Sequence, residues 1–142
     1  MLEHIHDDRT EIARAAGRLS SDGNLVVLAP AHQWLFSPFD AAVGHYRRYN
    51  KKSLRALEHP SLRILKIFYL DSVGLLASLG NRLLLRQSAP TKAQTAVWDG
   101  NLVPISRISD PLTGFQFGRS VIAIWKKRNG EPSKGHDRSR IP

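Results

Sequence analysis

The first third of the chain changes from a helical to an extended hydrophobic pattern. Apolar residues recur at helical spacing behind an acidic cap at Asp7 and Asp8, and a polar run ending at Gly23 closes the pattern. This spacing predicts a helix whose apolar positions are Ile12, Ala15, Ala16 and Leu19. The next segment, NLVVLAPA at residues 24–31, is continuously apolar, which predicts a central strand buried on both faces.

Two further strands are predicted in the rest of the chain. SLRILKIFYL at residues 61–70 alternates apolar positions between two faces, and SVIAIWKK at residues 120–127 is the last apolar run. Helices are predicted over residues 54–57, 73–86 and 95–108, the second capped by Asp71 and Ser72 and the third bent at Pro104. The leucines of residues 73–86 form one apolar stripe that suits a core or a lid. This order of strands and helices predicts an α/β layer structure.

Composition limits the classes that the chain can belong to. A length of 142 residues suits one domain, and the absence of cysteine excludes disulfides, thiol catalysis and Cys-zinc sites. No signal peptide or membrane-spanning pattern is present, so a cytoplasmic location is predicted. The formal charge is +9, and residues 126–142 contribute six Lys/Arg against two acidic residues. We therefore expect a folded part over residues 1–127 and a basic, disordered tail over residues 128–142.

Four separated segments resemble one protein family. They are LEHIHDD at residues 2–8, GNLVVLAPAH at 23–32, GHYRRYNKKSL at 44–54 and FGRSVIAIWKK at 117–127. In this order they are similar to the second half of class I S-adenosylmethionine-dependent methyltransferases of the type 11/12-like group. The resemblance implies a Rossmann-like α/β fold with a mixed sheet, in which the last strand runs antiparallel between the two strands that precede it.

The resemblance also implies S-adenosylmethionine as cofactor. In that family a Gly-rich loop in the first half binds the cofactor, and this sequence contains no G-x-G-x-G motif. The chain then corresponds to a carboxyl-terminal half, and residues 2–6 correspond to the loop after the family's fourth strand. We expect weak or no cofactor binding by the chain alone. Its expected partners are a missing amino-terminal half or a second copy, paired through the exposed edge of strand 24–31.

The loops after the family's fourth and fifth strands face the reaction centre. The resemblance places Leu2, Glu3 and His4 beside the cofactor, although Glu3 and His4 can equally satisfy a helix start. His32 and Trp34 directly follow the strand at residues 24–31. His32 is a candidate general base, because an imidazole titrates near neutral pH, and Trp34 is a candidate acceptor contact.

The segment GHYRRY concentrates the largest number of functional side chains. His45 and Tyr46 are candidate catalytic groups, and Arg47, Arg48 and Tyr49 are candidate substrate-binding groups. A guanidinium matches the geometry of a carboxylate or phosphate, so an anionic acceptor is expected. The resemblance implies that the acceptor can be a small molecule or a lipid-like one. The structural alternative is an arginine paired with an acid such as Asp40, with the tyrosines packed under the loop. No metal site is predicted.

A non-catalytic binding module is the alternative function. Seven Lys/Arg lie between Arg47 and Lys66 against Glu58 alone, a balance that suits nucleic acid. No nucleic-acid-binding signature accompanies this charge, so nucleic acid is the disfavoured partner. The stripe at residues 73–86 suits a membrane surface, but few cations flank it.

Overall fold

The computed structural model describes residues 2–80 and 103–128. Its helices are α1 (Asp8–Arg18), α2 (Pro38–Ala42), α3 (Lys51–Arg55), α4 (Ser72–Gly80) and α5 (Val103–Leu112). Short 3-10 helices span Leu2–His4 and Gln33–Leu35. The strands are β1 (Asn24–Pro30), β2 (Leu62–Leu70) and β3 (Ser120–Lys127). The chain is therefore mixed α/β, as predicted.

The three strands form one sheet in the order β1-β3-β2. Strand β3 is antiparallel to both neighbours, and Ala123 lies opposite Val27 on one side and Ile67 on the other. Both outer strands therefore run in the same direction, with the last strand reversed between them. This is the arrangement expected for the last strand, although every neighbouring pair within the described residues is antiparallel.

The predicted position of the first strand was wrong. Within the described residues β1 lies at an edge of the sheet, and Val26 and Leu28 are 59% and 46% exposed. Successive side chains of a strand point to opposite faces, so only alternate positions such as Ala29 reach the core. A continuous apolar run is typical of a strand that is buried on both faces, whereas the described residues bury only one face of β1.

The core lies on one face of the sheet, against α1 and α3. Trp125, Leu62 and Leu54 are fully buried there and pack with Ile12 of α1. Helix α1 begins as predicted, because the Asp7 carboxylate accepts a hydrogen bond of 3.0 Å from the Thr10 backbone nitrogen. Of the apolar positions predicted for this helix, Ile12 and Ala16 are buried, Ala15 is half-buried, and Leu19 is the residue that follows the helix.

The end of β2 and the start of β3 are held close together. A Cβ atom on Gly118 would lie 2.1 Å from the carbonyl oxygen of Leu70, so only glycine fits there. The Asp71 carboxylate accepts from the backbone nitrogen of Gly74, as expected of a cap. The Asp110 carboxylate accepts from the nitrogens of Asp71 and Ser72, both at 2.8 Å, and so joins α5 to the start of α4.

Several predicted features fall outside the described residues. These are the second half of the helix at 73–86, the first part of the helix at 95–108 and most of the basic tail. The described part of the third predicted helix extends past residue 108 to Leu112. No helix in the described ranges is long and apolar enough to cross a membrane.

Candidate functional site

A cleft of about 280 Å³ opens at the end of β1 and the start of β3. Its charged and titratable lining residues are Glu3, Asp40, His45, Arg48, Asp71 and Arg119. The backbone nitrogen of Arg119 donates to the Asp71 carbonyl at 3.0 Å, which fixes the β3 side of the cleft. Burial, followed by the nearby charge of Arg48, lowers the pKa of Arg119.

The GHYRRY segment, residues 44–49, is tied by its backbone to the end of β1. Tyr49 donates from its nitrogen to the Pro30 carbonyl and accepts from the His32 nitrogen, both at 2.8 Å. At the other end, the Tyr46 nitrogen donates to the Glu3 carbonyl at 2.8 Å. The two loops that the resemblance assigns to the reaction centre are therefore in direct contact.

Asp40 is the electrostatic centre of the cleft. It is 1% exposed, and its carboxylate accepts from the Ser37 nitrogen and hydroxyl, both at 2.9 Å. Arg48 donates to it from Nε at 3.0 Å and Nη2 at 2.9 Å, and His45 donates from Nδ1 at 2.9 Å. Burial alone would raise the pKa of Asp40, but the hydrogen bonds from Arg48 and His45 outweigh burial and lower it.

Arg47 and Tyr49 bind a second acid, at the start of α1. Arg47 Nη1 donates to Asp8 at 2.8 Å, and its Nη2 donates to the His6 carbonyl at 2.8 Å. The buried Tyr49 hydroxyl donates to the same Asp8 carboxylate at 3.0 Å. Burial and this contact with Asp8 raise the pKa of Tyr49. Arg47, Arg48 and Tyr49 are thus paired with acids inside the protein, as the structural alternative in the sequence analysis describes. Their role in binding an acceptor stays a prediction.

Glu3, His4 and His45 form a group at the mouth of the cleft. One potential ligand atom from each residue lies within 4.8 Å of the other two. The His4 and His45 rings meet edge to face, with centroids 4.6 Å apart. Glu3 is 8% exposed, and its Oε2 is a buried oxygen without a hydrogen-bond partner among the described residues. Such an unpaired oxygen costs about 1–3 kcal/mol of folding free energy, and native proteins contain only a few buried polar atoms of this kind.

His32 occupies different surroundings from His45. Its ring stacks on Tyr69 with centroids 4.9 Å apart and lies 5.4 Å from the ring of Trp34. Its Nε2 donates to the Gly118 carbonyl at 3.0 Å, and its backbone has a positive φ of 65°. Burial lowers the pKa of His32, and the Gly118 bond offsets only part of that effect.

The structure therefore brings together some of the predicted site residues and separates others. Glu3, His45 and Arg48 line the cleft, with His4 at its mouth, whereas Leu2 packs in the core. His32, Trp34 and Tyr46 lie outside the cleft lining, and Tyr46 is largely exposed. The roles proposed for these residues stay predictions.

Sequence reasoning gave little weight to Asp40 and missed Arg119 as a cleft residue. The S-P-F-D pattern at residues 37–40, an N-cap followed by an acid in the first helical turn, is the signal that could have drawn attention to Asp40. A lone arginine ahead of the last strand carries no comparable signal.

The basic segment predicted as a nucleic-acid surface is partly used inside the protein. Arg47 and Arg48 are held by Asp8 and Asp40, as described above. Lys51 lies 4.9 Å from the centroid of the Tyr69 ring and donates to the Phe115 carbonyl at 3.4 Å. At least four of the seven cations, including Lys66 over the Phe68 ring, therefore have partners in the fold, and the binding-module alternative stays a prediction.

Comparison with protein-family models and with curated proteins gives no match to this chain. The interpretation of the cleft therefore depends on its geometry and on the resemblance of the four sequence segments.

Proposed function

We propose that residues 1–127 form the carboxyl-terminal part of a class I S-adenosylmethionine-dependent methyltransferase domain. The observation that carries this proposal is the strand order β1-β3-β2 with a reversed last strand. The resemblance implies that order for the last three strands of the family's sheet. A pairing of β3 with only one of the two earlier strands would have argued against it.

The position of the cleft supports the same proposal. In doubly wound sheets, ligands bind beyond the carboxyl ends of the strands. The cleft opens at that end of β1, and the contact between Glu3 and Tyr46 brings the loops of the proposed reaction centre together there. A small anionic or lipid-like acceptor is the proposed substrate class.

S-adenosylmethionine, when bound, supplies an electrophilic methyl group on a sulfonium. The Leu2–His4 segment would border this cofactor, and the unpaired Oε2 of Glu3 suits a hydroxyl or ammonium donor of it. The protein then mainly has to hold the acceptor in line and exclude water, and such orientation contributes about 7–11 kcal/mol in favourable cases. His45, whose Nδ1 is held by Asp40, would accept a proton from the acceptor at Nε2.

Equilibrium dialysis against radiolabelled S-adenosylmethionine tests the proposal. The 142-residue chain is compared with the longest product encoded in frame upstream of Met1. We expect the longer product to contain a Gly-rich loop and to bind the cofactor, and the 142-residue chain to bind weakly or not at all. The matched control is the longer product with its Gly-rich loop substituted, which should lose binding.

Any one of three results would overturn the proposal. The first is an in-frame stop codon directly before Met1 with no Gly-rich motif encoded upstream. The second is a longer product that carries the motif and fails to bind S-adenosylmethionine. Micromolar binding by the 142-residue chain would contradict the proposal that it is only the carboxyl-terminal part.

A further inference from the structure

Three potential metal ligands converge at the mouth of the cleft. They come from Glu3, His4 and His45, and one ligand atom of each lies within 4.8 Å of the others. His4 Nε2 is 3.9 Å from Glu3 Oε1. Glu3 and His4 belong to the first 3-10 helix, and His45 is brought to them by the backbone bond between Tyr46 and Glu3.

Each of the two imidazole rings is oriented by a hydrogen-bond acceptor that contacts its Nδ1, which leaves Nε2 to bind a cation. His4 Nδ1 donates to the Gly44 carbonyl at 3.1 Å, and His45 Nδ1 donates to the Asp40 carboxylate at 2.9 Å. Since neither a carbonyl nor a carboxylate can donate, each neutral ring carries its lone pair on Nε2. Metal-binding histidines almost always have such a partner on the second nitrogen.

The Glu3 carboxylate is an independent indication of a ligand. It is buried, and its Oε2 has no hydrogen-bond partner among the described residues, while its Oε1 faces His4. Buried polar atoms are normally paired, so an unpaired carboxylate oxygen beside two imidazoles is consistent with a bound ligand. A cation bound between the two imidazoles would satisfy it.

Gly44 contributes to the preorganisation of the group. Its φ is +81°, a conformation that other residues rarely adopt, and a Cβ there would lie 3.6 Å from His4 Nδ1. The glycine therefore directs its carbonyl at the His4 ring.

We propose that Glu3, His4 and His45 bind one divalent first-row transition cation. Two imidazoles and one carboxylate suit Zn²⁺, Co²⁺ or Fe²⁺ better than Mg²⁺ or Ca²⁺, which favour oxygen ligands. Ligand atoms around a tetrahedral Zn²⁺ lie about 3.4 Å apart for bonds of about 2.0–2.1 Å, so the three side chains would move closer together around a bound cation. Three protein ligands leave one position for water or an anionic oxygen of a small molecule.

This inference does not rest on the proposed function. It assigns Glu3 and His4 to a cation in place of the methyl donor, and it assigns Nε2 of His45 to the same cation in place of the proton-accepting role given above. It holds whether or not the domain transfers methyl groups. Its test therefore uses no methyl donor and no activity measurement.

The test is titration of the purified, EDTA-treated 142-residue chain with Co²⁺, followed by d–d absorption, and with Zn²⁺, followed by calorimetry. We expect one site per chain and no competition from millimolar Mg²⁺. Glu3→Gln, His4→Ala and His45→Ala should each weaken Zn²⁺ binding more than tenfold. His59→Ala is the matched control, because the His59 ring bonds locally with Ser61 within the described residues, and this variant should bind Zn²⁺ like the unmodified chain.

The variants also separate metal binding from a structural role. His4 is exposed, so His4→Ala keeps the test valid even if a change at the buried Glu3 prevents folding. Asp40→Asn, which acts through His45, should weaken Zn²⁺ binding by about 10–100-fold while circular dichroism still shows a folded chain. Absence of Zn²⁺ and Co²⁺ binding, or equal binding by folded His4→Ala and His45→Ala variants, would overturn the proposal.

Discussion

Replacement of Asp40 by alanine removes the acceptor of five hydrogen bonds at once. The donors are two groups of Ser37, two nitrogens of Arg48 and Nδ1 of His45, all at 2.9 to 3.0 Å. The Arg48 side chain is only 9% exposed, so it would be left charged and buried without its partner. Helix α2 would also lose the contact that fixes its first turn.

The expected loss follows from these two effects. Removing one partner of a buried ion pair costs about 3–5 kcal/mol, because the other charge remains desolvated. Loss of a helix cap costs about 1 kcal/mol, and the two terms overlap since the same carboxylate serves both. We expect Asp40→Ala to lower the free energy of unfolding by about 3–5 kcal/mol, which corresponds to roughly 10–20 °C in Tm.

Urea unfolding followed by far-UV circular dichroism measures this loss. The matched control is Glu11→Ala, which removes an exposed carboxylate paired with Arg14 on α1 and should cost less than about 1 kcal/mol. A double-mutant cycle with Arg48→Met should give a coupling energy above about 1 kcal/mol, because the double variant no longer buries an unpaired charge. A loss at Asp40 as small as that at Glu11, or additive effects in the cycle, would refute the reasoning.

Three further predictions concern the packing around the cleft. Gly118→Ala should lower the free energy of unfolding by about 3 kcal/mol or more, because the new Cβ would meet the Leu70 carbonyl. Its control is Gly17→Ala, which has open space around the new Cβ and should be neutral or stabilising in the same urea titration. Stability should decrease as the pH falls below 6.5 towards the lowered pKa of His32, because the unfolded chain takes up that proton first; comparing urea midpoints at two pH values should show a smaller decrease in His32→Gln. Asp110→Ala should cost about 1–3 kcal/mol by leaving the first nitrogens of α4 without their acceptor, and a wild-type urea midpoint for this variant would contradict that role.

The hydrophobic pattern was sufficient to locate the strands. The predicted strands at residues 61–70 and 120–127 correspond to β2 and β3, and the run at 24–31 corresponds to β1. The pattern failed on the position of β1 in the sheet. The apolar side chains of Val26 and Leu28 indicate that both faces of β1 could be buried. Whether they are buried depends on which other elements pack against the strand.

The residues of the cleft were only partly predictable, because their partners come from distant parts of the chain. The GHYRRY segment could be recognised by its composition, yet Arg47 pairs with Asp8 and His4 with Gly44, each about forty positions away. A loop lacks the regular periodicity of a helix or strand, so the spacing of its side chains does not predict such contacts. The sequence suggested that an arginine could pair with Asp40. It did not suggest that His45 binds the same carboxylate.

The binding of Arg48 and His45 to Asp40 determines which atoms of the GHYRRY segment remain available to a ligand. The Nε and Nη2 donors of Arg48 and the Nδ1 of His45 already face Asp40, so their hydrogen bonds hold the loop in place. Among the described residues, the Nε2 atoms of His4 and His45 are not used in the bonds to Gly44 and Asp40, and Oε2 of Glu3 is buried without a hydrogen-bond partner. Because Arg48 is held by Asp40, we expect a ligand to bind through the two imidazoles and the Glu3 carboxylate. Substitutions at Glu3 should therefore alter ligand binding, whereas substitutions at Arg48 should act first on stability.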